Sequence, residues 1–318
     1  MKIEGNVKEL SRIQTDLYSL DMALSSRSAL GIPVPGIVEI YGRTHVGKST
    51  FAYHLASQVN PKGRVILCDF EGIDVDYVRR AFEQEGFDGT LKIIDAMDDK
   101  GKLRTHEDML DDMTKEFYNE ETSAGIVDSI GAISPVFEVE NKIEEGFGAK
   151  RATIVARFIR RIGVPLRGME LPRPLFVTNH AHEVLGGGYG HQSSGGRALE
   201  HVKVASLYLY PRSAMHIKTS DEVLAYVIEG QVEKLRYGKK GRKFHFVIIP
   251  EYGVRRNLSA LIDASELGIV ERGAVVKIGE KSLGRISELY QADMEGRDGV
   301  FEPIHKALKE HRDGMGKT

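Results

Sequence analysis

Short β-branched apolar runs alternate along the chain with stretches whose apolar residues recur at helical spacing. Strand-like runs occupy 37–41, 65–70, 91–95, 124–128, 175–179, 205–210, 224–233 and 244–249. Helical candidates fall between the first five of these, at 49–58, 76–85, 107–118 and 149–162. That βαβ rhythm predicts an α/β fold with a mostly parallel, doubly wound sheet. The last three runs follow one another without helices and are expected to form an antiparallel extension. Beyond Pro250 the elements become short and end in a helix near 301–311, which predicts a small appended α/β domain at 251–318 behind a core at 20–250. The N-terminal segment 1–19 fits one short amphipathic helix at 7–17, with Leu10, Ile13 and Leu17 along one face.

Composition narrows the class. The chain has 318 residues, 41% of them hydrophobic, enough for about two domains. Lys+Arg 44 against Asp+Glu 46 leaves a net charge of -2, so any nucleic-acid contact must come from local patches. The single Cys68 cannot form an internal disulfide, and the opening residues lack an apolar signal region, so the expected location is cytoplasmic. No apolar stretch approaches the ~20 residues that span a bilayer, so no membrane-spanning helix and no membrane partner are expected. Many of the 34 glycines lie in loops such as 186–190 and 195–196, where backbone freedom suits a ligand-ordered segment.

The strongest chemical signal is Gly42-Arg43-Thr44-His45-Val46-Gly47-Lys48-Ser49, followed by Thr50. It fits the phosphate-binding pattern G-x-x-x-x-G-K-[ST] and stands where that pattern must stand, after a strand and opening a helix. The glycines let backbone N–H groups curl around phosphates, Lys48 reaches the β/γ-phosphates, and Ser49 ligates Mg²⁺. A second carboxylate for the metal is expected at Asp128, closing the run 124–128; a turn-forming Asp is the alternative. Asp69 and Glu71 end another strand and, by alternation, point the same way, toward the phosphates. Glu71 is the expected catalytic base, against a solvated loop acid.

Taken together, Asp21-Met22-Ala23-Leu24, then Gly36-Ile37-Val38-Glu39-Ile40-Tyr41-Gly42 running into Gly47-Lys48-Ser49-Thr50, then Asp69-Phe70-Glu71 and Val127-Asp128-Ser129, resemble bacterial and phage RecA recombinases. Ser134-Pro135, Thr178-Asn179-His180 and Ser194-Gly195-Gly196-Arg197-Ala198-Leu199 extend the resemblance over nearly the whole chain. It implies a RecA-type P-loop core and an ATP- and Mg²⁺-dependent filament on single-stranded DNA that pairs it with homologous duplex. By matching position, the triphosphate falls to Gly42–Ser49, water activation to Glu71 and the metal to Asp128. Asp74 and Tyr77 fall where the family contacts adenine, although Asp74 also suits a helix N-cap. His180 stands where the γ-phosphate sensor is usually Gln, and its ring can still donate to phosphate.

Two segments, 141–150 and 181–196, match the family's DNA-binding loops. They offer Phe147, Lys150, Arg151, His182, Tyr189 and His191, with the adjoining Arg197. Cations for phosphates and aromatic rings for bases are what an unpaired strand requires; an aromatic folded back onto the core is the alternative for Phe147 and Tyr189. The run 234–243 holds six cations and no acid, as a solvated hairpin tip would. The resemblance implies more: Lys234 and Arg236 align with paired cations that reach ATP on the adjacent subunit, in the manner of an arginine finger. The resemblance departs at the N-terminus, where about twenty residues precede Asp21 and the family usually carries an extra polymerisation helix. A ring-forming helicase motor and a regulatory recombinase paralogue are the competing functions, the first assembling as closed rings rather than open filaments.

Overall fold

A computed structural model of the chain describes residues 11–26, 29–98, 100–134, 148–166, 173–183, 191–193, 196–212, 217–218 and 223–315. Its first strands, β1 (Ser11–Ile13) and β2 (Ile32–Val34), pair antiparallel around α1 (Tyr18–Ala23). Residues 11–13 are therefore strand, which corrects the expected helix over 7–17; residues 1–10 lie outside the described part.

The main sheet contains β3 (Gly36–Gly42), β4 (Arg64–Asp69), β5 (Thr90–Ile94), β6 (Thr122–Asp128), β7 (Pro174–Glu183), β8 (His191–Ser193), β9 (Ala205–Pro211), β10 (Ile217–Lys218), β11 (Val223–Leu235), β12 (Lys243–Ile249) and β13 (Gly253–Val254). Its order is β13-β12-β11-β9-β3-β7-β6-β4-β5, with β8 on β7 and β10 on β11. Pairing is parallel from β9 through β3, β7, β6 and β4 to β5. It is antiparallel from β9 to β11, β12 and β13. The antiparallel extension thus begins one strand later than expected: β9 runs parallel to β3 because a helix, α6 (Gly196–Val202), precedes it and returns the chain to the same end.

Alternation divides the core. Val65 and Leu67 of β4 join Val38, Ile40 and Ile126 in one apolar layer, under α2 (Lys48–Val59) and α3 (Val75–Gln84). Ile66 and Cys68 face the opposite layer with Val127, Leu175 and Val177, under α4 (His106–Phe117) and α5 (Gly148–Leu166). Period-2 side-chain direction in a sheet buried on both faces requires that split. Phe51 of α2 stacks on Phe246 at 4.2 Å between centroids and on Phe244 at 5.9 Å, fixing α2 over the antiparallel half. Each such pair adds about 0.5–1.5 kcal/mol beyond its buried area.

After β13 come α7 (Arg256–Glu266), a small antiparallel sheet of β14 (Glu271–Arg272), β15 (Val276–Ile278) and β16 (Lys281–Gly284), then α8 (Ile286–Met294) and α9 (Glu302–Met315). Leu258, Leu261, Ile262, Leu289, Phe301, Ile304 and Leu308 form a third apolar layer with Val227, Val247 and Ile249 of the main sheet. Among the described residues no helix is long and apolar enough to cross a membrane.

Candidate nucleotide site

Parallel pairing brings the C-terminal ends of β3, β7, β6 and β4 into one row. Tyr41 and Gly42 stand beside Asn179 and His180, and Asp69 beside Asp128. Crevices outside the carboxyl ends of such strands, where connections diverge to both sides, are where open α/β sheets take ligands.

The loop between β3 and α2 is shaped by backbone geometry. Gly47, the N-cap of α2, sits at φ 82°, a left-handed conformation that favours glycine, and supplies no side-chain cap. A Cβ on Gly42 would lie 2.5 Å from the carbonyl of Leu209. No acid occupies the first turn of α2, so its leading N–H groups and dipole are left for an anion. By contrast, Asp74 caps α3, accepting from Asp76 N at 2.9 Å and Tyr77 N at 3.1 Å. Tyr77 shares a 2.5 Å hydroxyl hydrogen bond with Thr50, tying α3 to α2.

Lys48 is buried, and its Nζ donates to the Arg43 carbonyl at 3.0 Å. Burial lowers its pKa, opposed by Glu71 and Asp128. Asp128 closes β6 deep under the loop, surrounded by hydroxyls: Thr178 Oγ1 donates at 2.5 Å, Tyr53 OH at 3.3 Å, and Ser49 also bonds it. Burial raises its pKa despite these donors, with Glu71 adding to the rise. One carboxylate beside a serine hydroxyl is a hard-oxygen donor set that fits Mg²⁺, which takes a few protein oxygens and completes its shell with phosphate and water. Among the described residues no group of three or more His, Cys, Asp or Glu could hold a metal ion, so any such ion would need substrate oxygens.

Asp69 and Glu71 diverge in role. Asp69 is 4% exposed and folds into the turn, accepting from the backbone N–H of Glu71 at 3.2 Å and of Gly72 at 2.9 Å. Burial pushes its pKa up to about 6, against those two hydrogen bonds. Glu71 is left half-exposed, its Oε1 bonded by Ser129 Oγ and lying 3.1 Å from His180 Nε2. The structure therefore brings together Lys48, Ser49, Asp128, Glu71 and His180. It adds Ser129, Thr178 and Tyr53, to which the sequence reading gave no role; Ser129 and Thr178 were signalled only by their places beside Asp128 and Asn179 in the quoted motifs.

Lys234 and Arg236 stand apart, at the C-terminal end of α6. Lys234 Nζ bonds the Glu200 carbonyl and lies 3.4 Å from Glu200 Oε1, and Arg236 Nη2 donates to the His201 carbonyl at 3.1 Å. Of the residues expected at DNA, Lys150 and Arg151 lie in the first turn of α5, and Arg197 lies in α6. His182 and His191 lie on β7 and β8, so the ends of the second expected loop form an antiparallel ribbon rather than open loop. Phe147 and Tyr189 lie outside the described residues.

Comparison with known proteins gives the same frame. Protein RecA of Aquifex pyrophilus is 24% identical over 95% of this chain and 83% of its own length. Protein RecA of Bifidobacterium breve is 25% identical over 95% and 74%, and that of Helicobacter pylori strain G27 is 25% identical over 96% and 85%. The family model described as the RecA N-terminal domain matches residues 1–255, well over half of the chain, which therefore belongs to the RecA family.

Proposed function

We propose that the chain is a DNA-dependent ATPase that assembles as a filament on single-stranded DNA and pairs it with homologous duplex in recombination and repair. The observation that carries this reading is the meeting of Lys48, the Ser49–Asp128 oxygen pair and the Glu71 carboxylate at one strand edge. Family membership supports the class of reaction.

In this reading the open N–H groups of the loop and first turn of α2 bind the triphosphate, and Lys48 neutralises charge at its distal end. Ser49 and Asp128 would hold Mg²⁺, which would supply positive charge against the phosphate oxygens. Glu71 accepts the proton of the attacking water, while Ser129 and His180 hold one of its oxygens and aim the other. Asp74 and Tyr77 flank the adenine. Lys234 and Arg236, held at the end of α6, are offered to the nucleotide of the next subunit, which makes turnover depend on assembly. Segments 141–150 and 181–196 contact the unpaired strand, through Phe147, Lys150, Arg151, His182, Tyr189 and His191 together with Arg197. A lone cysteine, buried and unpaired, suits the reducing cytoplasm.

The test is ATP hydrolysis with and without single-stranded DNA, followed by joint-molecule formation with homologous duplex. Stimulated hydrolysis together with joint molecules is expected. Stimulated hydrolysis without them, with closed rings in negative-stain images, would replace the recombinase reading with a motor. Absence of any nucleotide turnover would leave a non-catalytic paralogue.

A further inference from the structure

On the sheet face covered by α7, His245 of β12 stands among groups that make contradictory demands on its ring. Glu229 Oε2 on β11 lies 3.2 Å from Nε2 and calls for a proton there, because a carboxylate only accepts hydrogen bonds. Arg212, directly after β9, puts Nη1 2.7 Å from the same nitrogen and calls for a lone pair, because a guanidinium only donates. One nitrogen cannot meet both. At the opposite edge of the ring, Nδ1 lies 3.8 Å from Asp263 Oδ1 of α7, a buried oxygen with no hydrogen-bond partner among the described residues.

The frame around the ring is held whatever its charge. His245 N donates to Ser19 Oγ at 2.9 Å, and that hydroxyl donates to the His245 carbonyl at 3.1 Å. Ser19 N holds Asp263 Oδ2 at 3.1 Å, and Lys243 holds Glu229 at 2.6 Å beside the Tyr210 hydroxyl. Arg212 has a second seat within reach. Glu229 Oε2 lies 3.4 Å from its Nη1, and Glu266 Oε2, on the last residue of α7, lies 3.3 Å away. The Arg212 side chain is 32% exposed, so a change of partner needs no opening of the core. His245, Asp263 and Glu266 also line one surface cavity, which gives the ring its route to solvent protons.

We propose that His245 is a proton-operated switch that sets the partner of Arg212 and, with it, how firmly α7 is tied to the sheet. With the ring neutral, its proton stays on Nδ1 toward Asp263, and Nε2 accepts from Arg212. With the ring charged, Nε2–H donates to Glu229, two donors face each other, and Arg212 leaves for Glu266. The charged arrangement holds α7 at both Asp263 and Glu266, whereas the neutral one keeps only the first. Burial lowers the His245 pKa and Arg212 opposes the charge, but Asp263 and Glu229 outweigh both and leave it above the ordinary value. Burial raises the pKa of Asp263 against the pull of His245 and Ser19. Because folding raises the His245 pKa, the bonds of the charged ring contribute fully below pH about 6.5 and are lost as pH rises through the raised value.

The experiment is a double-mutant cycle on the full-length chain with Arg212→Gln and Glu266→Gln, read by urea denaturation at about pH 6 and about pH 9. The two side chains are expected to be coupled about fivefold in the folding equilibrium at the lower pH and to fall within about 1.5-fold of additivity at the higher. A coupling of equal size at both overturns the switch. Should a variant fail to fold, long-range nitrogen–proton NMR of the histidine rings in the parent protein decides, with the His245 signal assigned by its absence from His245→Gln. The ring is expected to titrate between about pH 5 and about pH 9 and to carry its remaining proton on Nδ1 when neutral. A neutral ring protonated on Nε2, or a ring that keeps one protonation state throughout that range, overturns the proposal.

Discussion

The strand edge around Asp128 and the far side of the sheet around Glu229 both bury carboxylates, but they satisfy them differently. Glu229 on β11 is held by Lys243 at 2.6 Å, His245 at 3.2 Å and Arg212 at 3.4 Å, with the Tyr210 hydroxyl on the same group. Asp293 of α8 is paired with Arg255 at 2.7 Å. Burial raises a carboxylate pKa, yet at Glu229 the bonds from Lys243, Tyr210 and His245 outweigh it and hold the pKa at about 2. Asp128 meets hydroxyls instead, and its pKa is driven up. At Glu229 charged side chains bond the carboxylate directly, whereas the groups bonded to Asp128 are hydroxyls, with Lys48 as a nearby cation. The helix N-termini repeat the contrast, with Asp74 and Thr105 capping α3 and α4 and no side chain capping α2.

Substitutions on either side break this contrast in opposite ways. The largest effect is expected from Lys48→Ala, which should remove nucleotide turnover by a factor of about 10³ or more while leaving the melting temperature nearly unchanged; full turnover would refute the site. Glu71→Gln should cost about 10²–10⁴ in kcat with nucleotide binding retained, read by steady-state kinetics beside equilibrium binding. Lys234→Ala or Arg236→Ala should abolish DNA-stimulated turnover and spare ATP binding, and undiminished turnover would exclude their action on a neighbour's nucleotide. On the satisfied side, Arg255→Ala strands Asp293 and should cost roughly 3 kcal/mol of stability, measured by chemical denaturation, with ATP affinity intact.

The smallest expected effect sharpens the contrast through pH. Asp21 is another acid faced mainly by polar groups, accepting from the N–H and hydroxyl of Thr15 at 2.9 Å each. Burial raises its pKa from 3.8 to about 6 despite those bonds. A pKa raised by folding means the protonated form favours the fold: that contribution is complete below pH about 4 and is lost as pH rises through about 6. Asp21→Asn should therefore flatten the stability profile between those values, and an unchanged profile in denaturant melts across the range would remove the assignment.

Much of this arrangement was legible in the sequence because it is local. The run 42–49 needs only its own glycines and the helix behind it, and Asp128 and Glu71 mark the ends of apolar runs. What escaped depends on register between distant segments. Thr178 reaches Asp128 because β6 and β7 pair in parallel, and Lys203 meets Glu39 across 164 positions. Glu39 did leave a trace, as an acid inside the otherwise apolar run 37–41. The direction of β9 was misread because α6, with seven residues, is too short to impose a helical period. Residues 11–13 were misread because three apolar positions fit a helical stripe, whereas pairing with β2 decides the outcome.

Cys68 lies fully buried one residue before the end of β4, where burial drives its thiol pKa well above the ordinary value. With no other cysteine in the chain, the native protein offers maleimide reagents essentially no reactive sulfur. A cysteine introduced on the surface can accordingly carry a single fluorophore without first removing the native one, which opens assembly on DNA to energy-transfer measurements.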